Sequence, residues 1–137
     1  MSPVQVLIVG AGPTGLVLAL WLTRAGVRVR IIDKAAEPGT TSRALAVQAR
    51  TLEFYRQLGL ATPVVEGGVE IDTVNLWVAG RRVARALFGA MGAGLSPFPY
   101  ALIFPQDEHE RVLIERLERE GVKVERPVEL LGFEDTA

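Results

Sequence analysis

The stretch Val4-Gln5-Val6-Leu7-Ile8-Val9-Gly10-Ala11-Gly12-Pro13-Thr14-Gly15-Leu16 decides the fold of this chain. Val4 to Val9 is an almost unbroken β-branched and aliphatic run, the pattern of a parallel strand covered on both faces. Three glycines follow at GxGxxG spacing, and Thr14 to Ala25 carries good helix formers up to Gly26, which suits a C-terminal cap. Val27 to Asp33 reads as a second strand that ends on a carboxylate. A strand, a helix and a strand within about thirty residues make a βαβ unit.

Each position in the turn has a physical reason. Gly10 permits a sharp bend, Gly12 lets the backbone approach a pyrophosphate with no Cβ in the way, and Gly15 allows close helix–strand contact. The helix that opens there presents N–H groups and the positive end of its dipole to phosphate charge. Pro13 sacrifices little, because an N–H in the first turn has no intrahelical partner. Ala19 and Gly26 extend a face of small residues that can lie close to a sheet. A carboxylate such as Asp33, at the end of the second strand, accepts hydrogen bonds from ribose hydroxyls and repels a 2′-phosphate, so the pattern favours FAD or NAD over NADP. A glycine-rich turn alone is a weak signal; the strand before it, the helix after it and the later acidic residue make it specific.

Outward from this unit, Glu37 to Ser42 has loop composition and a second helix is expected from about Ala46 to Leu58. Ile71 to Val78 and Arg82 to Phe88 alternate around Ala79-Gly80 and predict a hairpin, and the glycines and prolines of Gly89 to Pro99 predict a loop. Tyr100 to Phe104 reads as a short strand and Asp107 to Glu120 as an amphipathic helix with Val112, Leu113, Ile114 and Leu117 inward and His109 on the exposed side. Val122 to Glu125 offers a third parallel strand, and Val128 to Phe133 is strand-like. Trp21, Trp77 and Phe104 are read as packing residues and Arg50 as a partner for Glu53. The expected class is α/β: a Rossmann-like parallel sheet interrupted by an antiparallel insertion from about Ile71 to Phe88.

The bulk numbers agree. With 137 residues, 49% of them hydrophobic, there is room for one domain with a buried core. Fifteen basic against sixteen acidic residues leave a net charge of −1, which gives nucleic acid or an anionic membrane no global field to follow. The chain has no cysteine and one histidine, so disulfides, dithiol redox pairs and zinc sites are not expected. The most apolar run, Leu16 to Leu22, is far short of the roughly 20 residues that span a bilayer. The N-terminus lacks a basic signal region, so a cytoplasmic location is expected.

Three further segments carry a likeness: Ser42-Arg43-Ala44, Ala49-Arg50-Thr51-Leu52-Glu53, and Phe104-Pro105-Gln106 leading into the last helix. With the glycine turn they make the chain similar to the single-component class A flavoprotein monooxygenases typified by para-hydroxybenzoate hydroxylase. Ser-Arg-Ala followed by Ala-Arg-Thr-Leu-Glu resembles most the branch acting on phenols and aromatic polyketides. The resemblance implies FAD as cofactor, NADH or NADPH as electron donor, molecular oxygen as co-substrate and a small aromatic substrate to be hydroxylated. It implies that Arg43 reaches the flavin's pyrophosphate and ribityl region and that Gln106 bonds to the ribityl chain. The backbone around Ala46-Val47 would lie near the isoalloxazine, with Gln48 and Arg50 as weaker candidates. The cofactor contacts are therefore Gly10, Gly12, Pro13, Thr14, Gly15, Asp33, Lys34, Arg43 and Gln106. No residue is named as an acid or base.

The resemblance covers essentially the whole chain but only the family's N-terminal part. Residues 1–137 are thus expected to be part of an FAD-binding domain, inactive alone, with the substrate domain and the later Asp-Gly and Gly-Asp motifs beyond Ala137. Many family members carry glutamate where this chain has Asp33. The absence of cysteine separates the chain from disulfide reductases of the wider group, and Gly39-Thr40-Thr41-Ser42-Arg43 stands where amine oxidases show Gly-Gly-Arg. Two alternatives stay open, an NAD-dependent dehydrogenase and a non-catalytic dinucleotide-binding module. Homo-oligomerisation, the particular aromatic substrate and the choice of nicotinamide are open too.

Overall fold

The computed structural model describes residues 3–39, 44–89 and 92–135. In order, the elements are β1 (Val6–Val9), α1 (Pro13–Arg24), β2 (Val29–Ile32), β3 (Ala44–Val47), α2 (Ala49–Leu58), α3 (Ala61–Gly67), β4 (Val69–Ile71), β5 (Thr73–Val78), β6 (Arg81–Leu87), β7 (Ala101–Pro105), α4 (Gln106–Arg119) and β8 (Val124–Glu125). They fall into two units, Met1–Thr41 with Asp107–Ala137, and Ser42–Gln106.

The first unit holds the parallel sheet, in the order β1-β2-β8. Val6 pairs with Val29 and Val9 with Ile32, while Ile31 pairs with Val124. Leu16, Ala19 and Leu20 of α1 are buried, as are Ile8, Ile31 and Ile32 of the sheet and Leu113 and Leu117 of α4. Burial of such aliphatic side chains, each contributing about 1.5–3 kcal/mol, holds the unit together. Gly26 closes α1 through its N–H to the Thr23 carbonyl, 3.0 Å away. Arg24 Nε stands 3.3 Å from Glu120 Oε1 and links the ends of α1 and α4.

The second unit is antiparallel throughout. Its sheet runs β3-β7-β4, with Val47 opposite Leu102 and Val69 opposite Ile103. Leu52, Tyr55 and Leu58 of α2 and Val64 of α3 are buried, together with Val47, Leu102 and Phe104. β5 and β6 form a separate two-stranded ribbon with an irregularity at Leu76/Trp77. Ala79 and Gly80 turn it, both at positive φ (48° and 74°), the geometry that matches the twist of a tight hairpin.

The βαβ unit, the hairpin, the last helix and the third parallel strand stand where the sequence places them, and Phe104 is core. Several expectations are corrected. β1 is covered on one face only: Leu7 is 43% and Val9 55% exposed. Ala46 and Val47 do not open the second helix but belong to β3, because pairing with β7 outweighs the modest helical preference of Ala-Val; α2 starts at Ala49 behind an extended Gln48. The antiparallel part therefore spans β3 to β7 and is not confined to residues 71–88. Val128 to Phe133 forms no strand: the Val128 N–H donates to the Asp33 carbonyl at 2.9 Å, but Leu131 and Phe133 are 93% and 90% exposed, and one such bond makes no ladder. His109 is buried, since it stands one and two turns before Leu113 and Leu117 on a single stripe, whereas Val112 and Ile114 are only half-buried. Trp77 lies on the exposed ribbon and packs into no core. Among the described residues no helix is long and apolar enough to cross a membrane.

Candidate functional site

Where β1 ends, the Gly10 N–H donates to the Ile32 carbonyl at 2.8 Å and carries the parallel ladder one step past the strand. Gly10 then takes φ +104°, a conformation that side-chain-bearing residues rarely adopt, and the chain bends into α1. Gly12 caps the helix with extended backbone and no side-chain bond. Leu16 donates the first intrahelical hydrogen bond to the Gly12 carbonyl, at 3.0 Å. The earlier N–H groups, those of Thr14 and Gly15, have no intrahelical acceptor by geometry. A Cβ built on Gly12 meets nothing within 4 Å, so the backbone there faces open space. A Cβ on Gly15 would fall 2.1 Å from the Gly10 carbonyl oxygen and 3.4 Å from Ile8 Cγ2. Only glycine fits beneath this turn.

Asp33 follows β2, and its N–H donates to the Glu125 carbonyl of β8 at 3.0 Å. Its carboxylate points back at the turn: Oδ2 accepts the Ala11 N–H at 2.7 Å. Oδ1 accepts the Ala35 N–H at 2.8 Å and lies 3.3 Å from Arg126 Nη1. Burial pushes the carboxyl pKa up, but the hydrogen bonds from Ala11 and Ala35 and the charges of Arg126 and Lys34 outweigh it, and the net direction is down. The group is thus ionised at neutral pH. A carboxylate offers about four lone-pair sites, so acceptor capacity remains after the two backbone bonds.

Two open depressions flank the turn and share Val9 and Gly10. One, of about 480 Å³, is lined by Gly12, Pro13, Thr14 and Gly15 together with β1 and Leu18. The other, of about 360 Å³, is lined by Asp33, Lys34, Val128, Glu129 and Leu130. The structure thus brings Gly10, Gly12, Pro13, Thr14, Gly15, Asp33 and Lys34 together at the carboxyl end of the parallel strands. Such a corner suits a ligand with anionic charge at the helix end and hydroxyl donors beside the carboxylate.

Arg43 lies outside the described residues. Gln106 is the first residue of α4 and belongs to the second unit. Gln48 caps α2, and Arg50 pairs with Glu53 Oε2 at 3.1 Å, as read from the sequence, while its guanidinium covers the Phe54 ring at 4.5 Å. Sequence reading missed Ala11 and Arg126 as partners of Asp33. A residue just past the third parallel strand was the available signal, because parallel pairing brings that strand end beside Asp33. Among the described residues no group of His, Cys, Asp and Glu is arranged to hold a metal ion.

A family model described as an FAD binding domain matches residues 3–137. The chain is 46% identical over 128 residues to 6-methylpretetramide 4-monooxygenase of Streptomyces rimosus, covering 92% of this chain and 22% of that protein. It is 35% identical over 113 residues to pentachlorophenol 4-monooxygenase of Sphingobium chlorophenolicum, covering 82% and 21%. Among solved structures it resembles the flavin-dependent monooxygenase PieE in complex with FAD and substrate, with a TM-score of 0.78 and 29% identity over 88% of this chain and 23% of that one. The chain therefore spans less than a quarter of the length of each of these three proteins.

Proposed function

Because the chain belongs to the FAD binding domain family, we propose that its glycine corner holds the ADP half of FAD within an NAD(P)H-dependent monooxygenase that hydroxylates a phenolic or polyketide-like aromatic compound. The observation that carries this reading is the Asp33 carboxylate turned onto the Ala11 N–H at 2.7 Å, at the mouth of an open helix end. In this reading the N–H groups of Thr14 and Gly15 and the dipole of α1 receive the pyrophosphate, and Gly12 lets it approach. The spare lone pairs of Asp33 accept the adenosine ribose hydroxyls, with Lys34 beside them. Arg43 and Gln106 are proposed for the pyrophosphate and ribityl parts of the flavin.

When bound, FAD supplies the redox and oxygen chemistry; these residues bind and orient it. None of them is assigned a proton transfer. Relatives named as monooxygenases of a pretetramide and of pentachlorophenol support an aromatic substrate for the whole protein. A dehydrogenase reading gains no support, because β2 is followed by an antiparallel unit in place of a further regular βαβ run. Asp33→Ala should weaken FAD binding by at least about tenfold, the scale of one lost charged hydrogen bond, measured by titrating apoprotein with FAD. An unchanged affinity overturns the proposed role, and a purified full-length protein with no bound flavin and no substrate-stimulated NAD(P)H oxidation overturns the enzyme reading.

A further inference from the structure

Arg126 has no assigned role, yet its guanidinium lies against the carboxylate on which the reading of the corner depends. It directly follows β8, at the same end of the parallel sheet where Asp33 follows β2. Its Nη1 stands 3.3 Å from Asp33 Oδ1 and donates to the Ala35 and Glu37 carbonyls at 3.3 and 3.4 Å. Each contact is long, but one cationic nitrogen faces three oxygens of a single five-residue loop. The two side chains are 12% and 18% exposed, so solvent and salt screen this pair far less than the neighbouring Arg30–Glu125 pair at 46% and 44%. Arg126 does not line either depression beside the turn.

We propose that Arg126 is a positioning residue for dinucleotide binding: it holds the Asp33 carboxylate and the loop after it in the binding geometry without touching the ligand. The proposal rests on the FAD reading of the Asp33 corner. The two carboxylate oxygens divide the work. Oδ2 is fixed by Ala11 on the turn, and Oδ1 is fixed by Ala35 and Arg126 on the loop side. Without the guanidinium, Oδ1 keeps one neutral donor, the carboxylate plane is free to swing about its soft terminal torsion, and residues 35–37 lose their tie to the end of β8. The charged groups that face Asp33 are Arg126 just past β8 and Lys34 from its own loop, with Glu129 on the wall of the same depression. Removing Arg126 leaves one cation and one anion there, so the carboxylate takes up a proton at higher pH and is lost as an acceptor sooner on acidification.

The test uses apoprotein prepared from the full-length flavoprotein and titrated with FAD from about pH 8 down to about pH 3, a range that passes below the ordinary aspartate value of about 3.9. Arg126→Gln should weaken FAD binding about tenfold at neutral pH and move the acid limit of binding to higher pH. Arg126→Lys, which keeps the charge but not the fork, should weaken it by only about threefold and leave the acid limit in place. In an Asp33→Asn background, Arg126→Gln should add little further loss, because both act through one carboxylate. Affinity and acid limit unchanged in Arg126→Gln, or a full tenfold loss that persists beside Asp33→Asn, overturn the proposal. Wild-type FAD affinity in Asp33→Asn alone overturns the reading of the corner itself, which is a separate failure. If Arg126→Gln does not fold, Arg126→Lys combined with Asp33→Asn decides by the same additivity.

Discussion

Gly15 and Asp33 serve the same corner by opposite means, one through a missing side chain and the other through a charged one. Alanine at position 15 would put its Cβ 2.1 Å from the Gly10 carbonyl oxygen, a backbone atom with nowhere to retreat. Gly15→Ala should therefore cost roughly 2–4 kcal/mol of unfolding free energy, seen as a lower urea midpoint. Both residues are legible in the sequence because strand, turn, helix and strand are consecutive and their spacing is geometric. Arg126 is less so, since it meets the carboxylate only through the pairing of β2 with β8, two segments far apart in the chain. His109, expected on the exposed side of its helix, shares the buried stripe with Leu113 and Leu117 at a spacing of four residues. Burial lowers its pKa from 6.5 to about 4. Above pH 6.5 neither state binds the proton, and below it the unfolded chain takes up a proton that the folded chain refuses. Stability should fall on acidification between about pH 6.5 and about pH 4, by up to about 3 kcal/mol, and a His109→Leu variant should lack this slope in urea titrations.

At the scale of elements, α4 separates what packs from what decorates. Its buried stripe includes Leu113 and Leu117, while Arg111 reaches Glu108 and, at 2.9 Å, Glu115 on a face open to water. Leu113→Ala should destabilise the protein by about 2–5 kcal/mol, whereas Arg111→Ala should leave the melting temperature within experimental error. A reversed order would mean that ion pairs hold this helix. Periodicity foretold α4 because a helix carries its pattern within itself. It failed at Ala46-Val47 and at residues 128–133, where the outcome depends on a neighbour: β7 supplies one to β3, and the second segment has no ladder beyond the Val128 N–H bond to the Asp33 carbonyl. The hairpin was readable because its signal, Ala79-Gly80 between alternating strands, sits at the turn itself.

For the molecule as a whole, the sequence disclosed the unit with the parallel sheet far better than the antiparallel one, whose strands β3, β4 and β7 meet only through pairings between distant segments. FAD that binds the folded state and not the unfolded one adds about 2.7 kcal/mol at a concentration one hundred times its Kd. Adding FAD to apoprotein should thus raise the melting temperature by several degrees, and the same addition should do much less for Asp33→Ala. The two tryptophans fall one to each unit: Trp21 on α1 is half-buried, and Trp77 on the β5–β6 ribbon is 61% exposed. Nature has in effect installed two optical tags of different wetness. A collisional quencher such as iodide will dim the redder emission of the ribbon first, so the intrinsic fluorescence of an unlabelled sample reports on each half of the chain in turn.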